Sequence, residues 1–235
     1  MSDVPTHVRF ETRLIRSLQT WIFAVVALLV FAGLAGHGVR YALGLEPVGA
    51  FGFFYHQFNL SNEDNLPAWF SSLQLGLCAL VLLAIGACDD LRVQVCRRQW
   101  FILAVAFLLL SFDEDASLHE RLIDPVHRIV GESRWLTNAW VFAVLPMVGL
   151  LGLYMLALLK SLPPRTRNLF LISGAIYVGG AAGVELVSGA MRFQYGISGA
   201  HFAFSSWFEE ALELIGIALF LKAASDWLVT VSAPP

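Results

Sequence analysis

An all-α, polytopic membrane bundle of six transmembrane helices is the fold this sequence predicts, on three observations. Apolar residues fill 57% of the 235 positions and charged residues 14%. The mean hydropathy is +0.69, which is too apolar for an ordinary soluble domain of this size. Apolar stretches near 21–45, 67–87, 100–120, 139–159, 168–190 and 206–223 are each long enough, or nearly so, to cross about 30 Å of hydrocarbon. The chain reads as one integral membrane domain.

Residues 1–20 place Leu14, Ile15 and Leu18 between Arg9, Arg13 and Arg16, the pattern of a short interfacial helix on the cytoplasmic side. The first span is longer than a signal-peptide core and has no small-residue cleavage pattern before a soluble domain. It carries Gly33, Gly36 and Gly38 for close helix contact, and His37 roughly 24 Å above Trp21. A long aromatic loop follows, with Phe51, Phe53, Phe54, Tyr55 and Phe58. Its rings fit an interface belt or a lid over a site, and Glu63 and Asp64 close it.

Pro67 opens the second span, an ordinary helix start, and Ser71, Ser72, Gln74 and Gly76 form a seam on it. Cys78, Cys88 and Cys96 make no C-x-x-C pair and read as structural. The third span is a span only if its polar end is helical. Trp100 to Leu110 runs directly into Ser111-Phe112-Asp113-Glu114-Asp115-Ala116-Ser117-Leu118-His119-Glu120. On a continuous helix Asp115 and His119 stack at i, i+4, with Asp113, Ser117 and Glu120 on a second stripe. The fourth span is apolar, with Pro146 as the expected kink.

The fifth ends in Gly179-Gly180-Ala181-Ala182-Gly183-Val184-Glu185, a small-residue face with Glu185 roughly 25 Å above Asn168. In the sixth, Ser206, Glu209, Glu210, Glu213 and Gly216 share one arc. The starts of the second and sixth spans are weakly alike, Trp69-Phe70-Ser71-Ser72 against Trp207-Phe208-Glu209-Glu210, which sets the polar seam beside the acidic face.

Ten of the fifteen lysines and arginines fall on the side of the termini, so the positive-inside rule places both termini in the cytoplasm. Thirteen of the eighteen acids fall on the other side, and His37, Asp113 to Glu120, Glu185 and Glu209 to Glu213 then share one level in the outer leaflet. Crowded carboxylates at that depth need protons, cations or arginines.

Three classes of function follow. One is a divalent metal centre of zinc, manganese or iron with Asp115, His119, Glu185, Glu209 and Glu213 as ligands and Glu114 or Glu120 as general base, acting on a lipid-like substrate. A second is a proton- or cation-coupled carrier. The third is an accessory subunit, or a homo-oligomer, whose acids pair with a partner or with Arg121, Arg128 and Arg192. Membrane lipids are the expected surroundings, and nucleic acid is not an expected partner, because the basic residues are taken up by topology.

Ser-Phe-Asp-Glu-Asp-Ala-Ser-Leu-His-Glu (111–120) and Trp-Phe-Glu-Glu-Ala-Leu-Glu (207–213) resemble a group of bacterial six-span membrane proteins of unknown function. That group shares S-x-D-E-x-x-S-x-H-E and an acidic last helix, and the resemblance implies a multi-pass protein of the inner membrane. More remotely, acids, serine and histidine near one membrane face resemble the alkaline ceramidase group of intramembrane zinc hydrolases. That group has serine four before histidine where this chain has Asp115, and a later H-x-x-x-H where this chain has His201 and Ser205.

Overall fold

The computed structural model describes residues 6–131, 133 and 135–232, with the backbone alone at 6–11, 120 and 130. Every regular element among them is helical. Five helices are long and apolar enough to cross a membrane: Thr12–Ala42, Leu66–Ala87, Trp140–Ser161, Pro164–Tyr195 and Ala200–Ser232. The sixth expected span is a helix of 20 residues, α5 (Arg97–Ala116). It opens on Arg97 and Arg98 and closes on Asp113, Glu114 and Asp115, so composition leaves it outside those five.

The chain enters through α1 (Thr6–His37), which continues as a π-helix over Gly38–Ala42. The expected interfacial segment is therefore continuous with the first span. No glycine or proline interrupts residues 12–21, and Gln19 Nε2 donates to Ser225 Oγ (2.8 Å) and Asp226 Oδ1 (2.9 Å) of the last helix. The aromatic loop contains α2 (Gly49–Phe58). Asn65 then caps α3 (Leu66–Ala87), accepting from Ala68 N, while its own amide donates to Asn59 O at 2.6 Å. One residue thus ties the loop to the start of the helix. A short α4 (Leu91–Gln94), capped by Asp90, joins α3 to α5.

Beyond α5 come a 3₁₀ turn at Glu120–Leu122 and α6 (Ile123–Val130). The fourth rod consists of α7 (Trp140–Tyr154) and α8 (Leu156–Ser161). It runs through Pro146, and the helix is interrupted at Met155 instead. The fifth rod is α9 (Pro164–Val178), a π-helix at Gly179–Val184 and α10 (Glu185–Tyr195). The last is α11 (Ala200–Ser232).

Helix α11 is the centre of the bundle. It packs against α1, α3, α9 and α10, and α5 runs beside α3 with Phe107 stacked on Phe220 of α11 at 4.5 Å between ring centres. Leu82, Ile85, Trp100, Ala224 and Trp227 are almost fully enclosed in the half nearer the termini. Between helices in lipid, close packing and hydrogen bonds supply the attraction that water supplies elsewhere. Glycines set the closest approaches. A β-carbon on Gly216 would stand 2.8 Å from Tyr177 N, and one on Gly180 would stand 3.0 Å from Glu209 O.

The α3–α5 pair is locked by a reciprocal contact. Ser72 Oγ donates to Ser111 O (2.7 Å) and Ser111 Oγ to Ser72 O (2.8 Å). Removing either hydroxyl is expected to cost about 1 kcal/mol. Urea titration of Ser72→Ala in detergent micelles checks this, and an unchanged midpoint counts against the contact. An apolar groove of about 490 Å³ opens beside these serines, lined by Trp69, Leu73, Leu77, Leu80, Val105 and Leu108.

Candidate functional site

The end of α5 decides the geometry. Ser117 takes left-handed angles (φ 48°, ψ 42°), unusual outside glycine, and its N–H closes the helix on Asp113 O at 2.7 Å. The chain reverses there. His119 folds back, its backbone N–H donating to Asp113 Oδ1 (2.9 Å) and its Nδ1 lying 2.8 Å from Oδ2. The i, i+4 pair of Asp115 and His119 expected of a continuous helix is therefore not formed. Asp115 faces outward and is exposed, whereas Asp113 holds the imidazole.

From His119 a connected network crosses the bundle. Its ring lies 4.7 Å, centre to centre, from that of Trp140, whose Nε1 donates to Glu185 Oε1 at 3.1 Å. The backbone carbonyl of Glu185 accepts from Asn138 Nδ2 at 3.1 Å. The Glu185 carboxyl adjoins that of Glu209. Ser188 Oγ donates to Glu209, the most buried of these acids. The π-helix supplies the register, because its extra residue in the turn before Glu185 lets α10 meet α11 at Glu209.

Glu114 lies beside Ser71 of α3. Glu210 lies in the field of Glu114, Glu185 and Glu63, and Glu213 in that of Glu210, Glu114 and Glu185. Glu63, from the turn before α3, is bonded by Ser117 Oγ. Glu114, Glu185, Glu209, Glu210 and Glu213 thus share one electrostatic neighbourhood. Among the described residues the ion pairs are His56–Asp64, Arg92–Asp90, His119–Asp113 and Lys222–Asp226, none of which neutralises those five.

His119 lies past the end of α5, and burial alone would lower its pKa. The hydrogen bond and charge of Asp113, with Glu185 and Glu63 behind them, outweigh burial and hold it above the ordinary value of 6.5. His37 stands apart from the acids. It is fully enclosed, with Nδ1 3.1 Å from Tyr55 Oη and the rings of Tyr41, Tyr55 and Phe204 around it.

Of the metal ligands expected from the sequence, Glu185, Glu209 and Glu213 fall in the cluster, His119 sits at its rim and Asp115 lies outside it. The side chain of Glu120 lies outside the described residues. No group of three or more His, Cys, Asp or Glu is arranged to hold a metal ion among the described residues. The three cysteines are free thiols. Sequence reasoning missed the pairing of Asp113 with His119, because a separation of six is not a helical contact and the break at Ser117 has no sequence signal. It also missed Trp140, Asn138 and Ser188, which have no unusual spacing.

These features define an all-helical protein with five helices able to cross a membrane and a carboxylate cluster shared by α5, α10 and α11. The chain belongs to the family described as Domain of unknown function (DUF8692), whose model matches residues 9–227. No curated protein and no solved structure matches it.

Proposed function

We propose that the protein is a six-span enzyme of a bacterial inner membrane, with α5 as the sixth span and both termini cytoplasmic. It performs acid–base chemistry at the outer leaflet on a membrane-soluble substrate. The observation that carries this reading is the Asp113–His119 pair at the rim of a glutamate cluster. A carboxylate on Nδ1 fixes the imidazole tautomer and leaves Nε2 to take a proton from a reacting group. Glu114, beside Ser71, is the acid that returns one. Beneath the cluster Leu75, Cys78, Leu214 and Ile217 are almost fully enclosed, which closes it off from the inner half of the bundle. The apolar groove beside Ser72 and Ser111 offers room for a hydrocarbon chain.

A base must be neutral to act, so turnover rises as pH climbs through the elevated pKa of His119, and Asp113→Asn moves that midpoint down. The linkage to stability has the opposite sense. The Asp113–His119 contribution is fully present below 6.5 and is lost as pH rises through the folded-state pKa. The test incubates purified protein with a bacterial lipid extract and follows products by mass spectrometry, comparing wild type with His119→Ala. Products formed by wild type alone, with the stated pH profile, support the reading. No product, with a melting temperature indifferent to pH in both proteins, overturns it. A proton- or cation-coupled carrier is the second reading, favoured by the five glutamates without a basic partner. Uptake into liposomes driven by a pH gradient distinguishes it.

A further inference from the structure

Helix α6 carries an apolar edge left uncovered among the described residues. Pro125, Val126 and Ile129 share one arc of the helix, and Leu122, seven residues before Ile129, continues that arc into the preceding turn. Ile129 is 83% exposed and Leu122 39%, and Pro125 is exposed as well. Arg121 and Arg128, also seven residues apart, flank the same edge, exposed and outside every ion pair among the described residues. Asp124 falls beyond the arginines. His127 turns inward, where its Nε2 donates to Leu136 O at 2.5 Å.

The place of α6 in the chain decides what covers that edge. Helix α5, about 30 Å long at 1.5 Å per residue, delivers the chain to the end of the bundle opposite the termini, and rod four carries it back from Trp140. The segment between them stays at that end. Ser117 reverses it, Leu122 N donates to His119 O at 3.0 Å, and His127 fastens α6 to the turn before rod four. Helix α6 is thus pinned at the level where the rods leave the hydrocarbon, with the indole of Trp135 exposed at the same junction. An apolar edge with arginines beside it at that level is the pattern of a helix seated in the interface, its aliphatic side chains toward acyl chains and its guanidinium groups toward phosphates.

We infer that α6 docks on the headgroup layer of the bilayer and recognises anionic phospholipid, with Leu122, Pro125 and Ile129 inserted and Arg121 and Arg128 set against phosphate. Charge complementarity names the lipid. Asp124, the one acid of α6, lies away from the apolar edge, so the two arginines meet the membrane without a competing carboxylate from the helix. Each basic residue near an anionic surface is worth about fivefold in binding, whereas zwitterionic lipid offers the apolar insertion alone. Docking has a consequence for the neighbouring turn. Because Leu122 N bonds His119 O, a seated α6 also steadies the turn that carries His119.

The inference does not rest on the acid–base reading, and its test needs no turnover. The experiment uses the full chain with Cys88→Ser, which leaves only the buried thiols of Cys78 and Cys96, and adds either Ile129→Cys or Asp124→Cys to carry an environment-sensitive fluorophore. Each protein is reconstituted in nanodiscs of phosphatidylcholine with or without phosphatidylglycerol. The label at position 129 is expected to be quenched by lipids bearing a nitroxide near the headgroup and shielded from aqueous iodide, and the label at position 124 to behave the opposite way. Phosphatidylglycerol should lower iodide quenching at position 129 about fivefold or more, an effect removed by Arg121→Gln with Arg128→Gln and weakened by high salt. Equal iodide access at the two positions overturns the docking, and quenching at position 129 indifferent to phosphatidylglycerol overturns the recognition of anionic lipid. Should a cysteine variant fail to fold, thermal unfolding of the unlabelled protein decides. A midpoint raised several degrees by phosphatidylglycerol in wild type, but not in the double arginine variant, supports the inference, and equal responses overturn it.

Discussion

The Gly216→Val variant is expected to lose about 3 kcal/mol of stability, the upper end for inserting side-chain carbon into a packed contact. The cause is backbone rather than a movable side chain. The first added carbon alone would lie 2.8 Å from Tyr177 N and 3.0 Å from Tyr177 Cα. Neither helix can yield without separating α9 from α11. Because α9, the π-helix and α10 form one rod, that separation also pulls Glu185 away from Glu209. Chemical denaturation in micelles, read by tryptophan fluorescence, should show a lowered midpoint, with Gly180→Ala an intermediate case. Wild-type stability in Gly216→Val would show that α9 and α11 are not in contact.

Exchanging Glu210 and Glu213 together for glutamine is expected to act in the opposite direction, stabilising the protein by about 1–3 kcal/mol. Glutamine keeps the shape of glutamate and removes its charge. Both side chains lie in the field of Glu114 and Glu185, with no basic partner among the described ion pairs. Groups that oppose folding are retained where they serve a site. A loss of stability in the double variant would mean that the carboxylates are already neutralised within the fold.

Several parts of this architecture were readable from residue order. The apolar stretches marked the rods, and Gly180 marked a tight contact, because an absent side chain leaves room only where another helix comes near. The meeting of Glu185 with Glu209, Glu210 and Glu213 followed from their depth along the chain. Depth says nothing about azimuth, however. His37 shares that level, but Tyr55 and Phe204 enclose it on the α1–α2 side of α11, away from the acids. The sequence pattern also assumed that the helix of Asp113 continues to Glu120. A left-handed Ser117 ends it, and no residue type announced that, because serine adopts such angles only when tertiary contacts hold it there. The count of spans was hidden for a related reason. Helix α5 is long enough to cross a bilayer, but the charges at its end belong to the site and weigh against it in any reading of composition.

The central claim is that carboxyls from α5, α10 and α11 are mutual neighbours. Double-mutant cycles among Glu114→Gln, Glu185→Gln and Glu213→Gln, measured as unfolding free energies, test it most directly. Groups sharing one chamber should be non-additive by about 0.5–3 kcal/mol in every pair. Three cycles that add within about 0.3 kcal/mol would place the glutamates in separate surroundings and contradict the account.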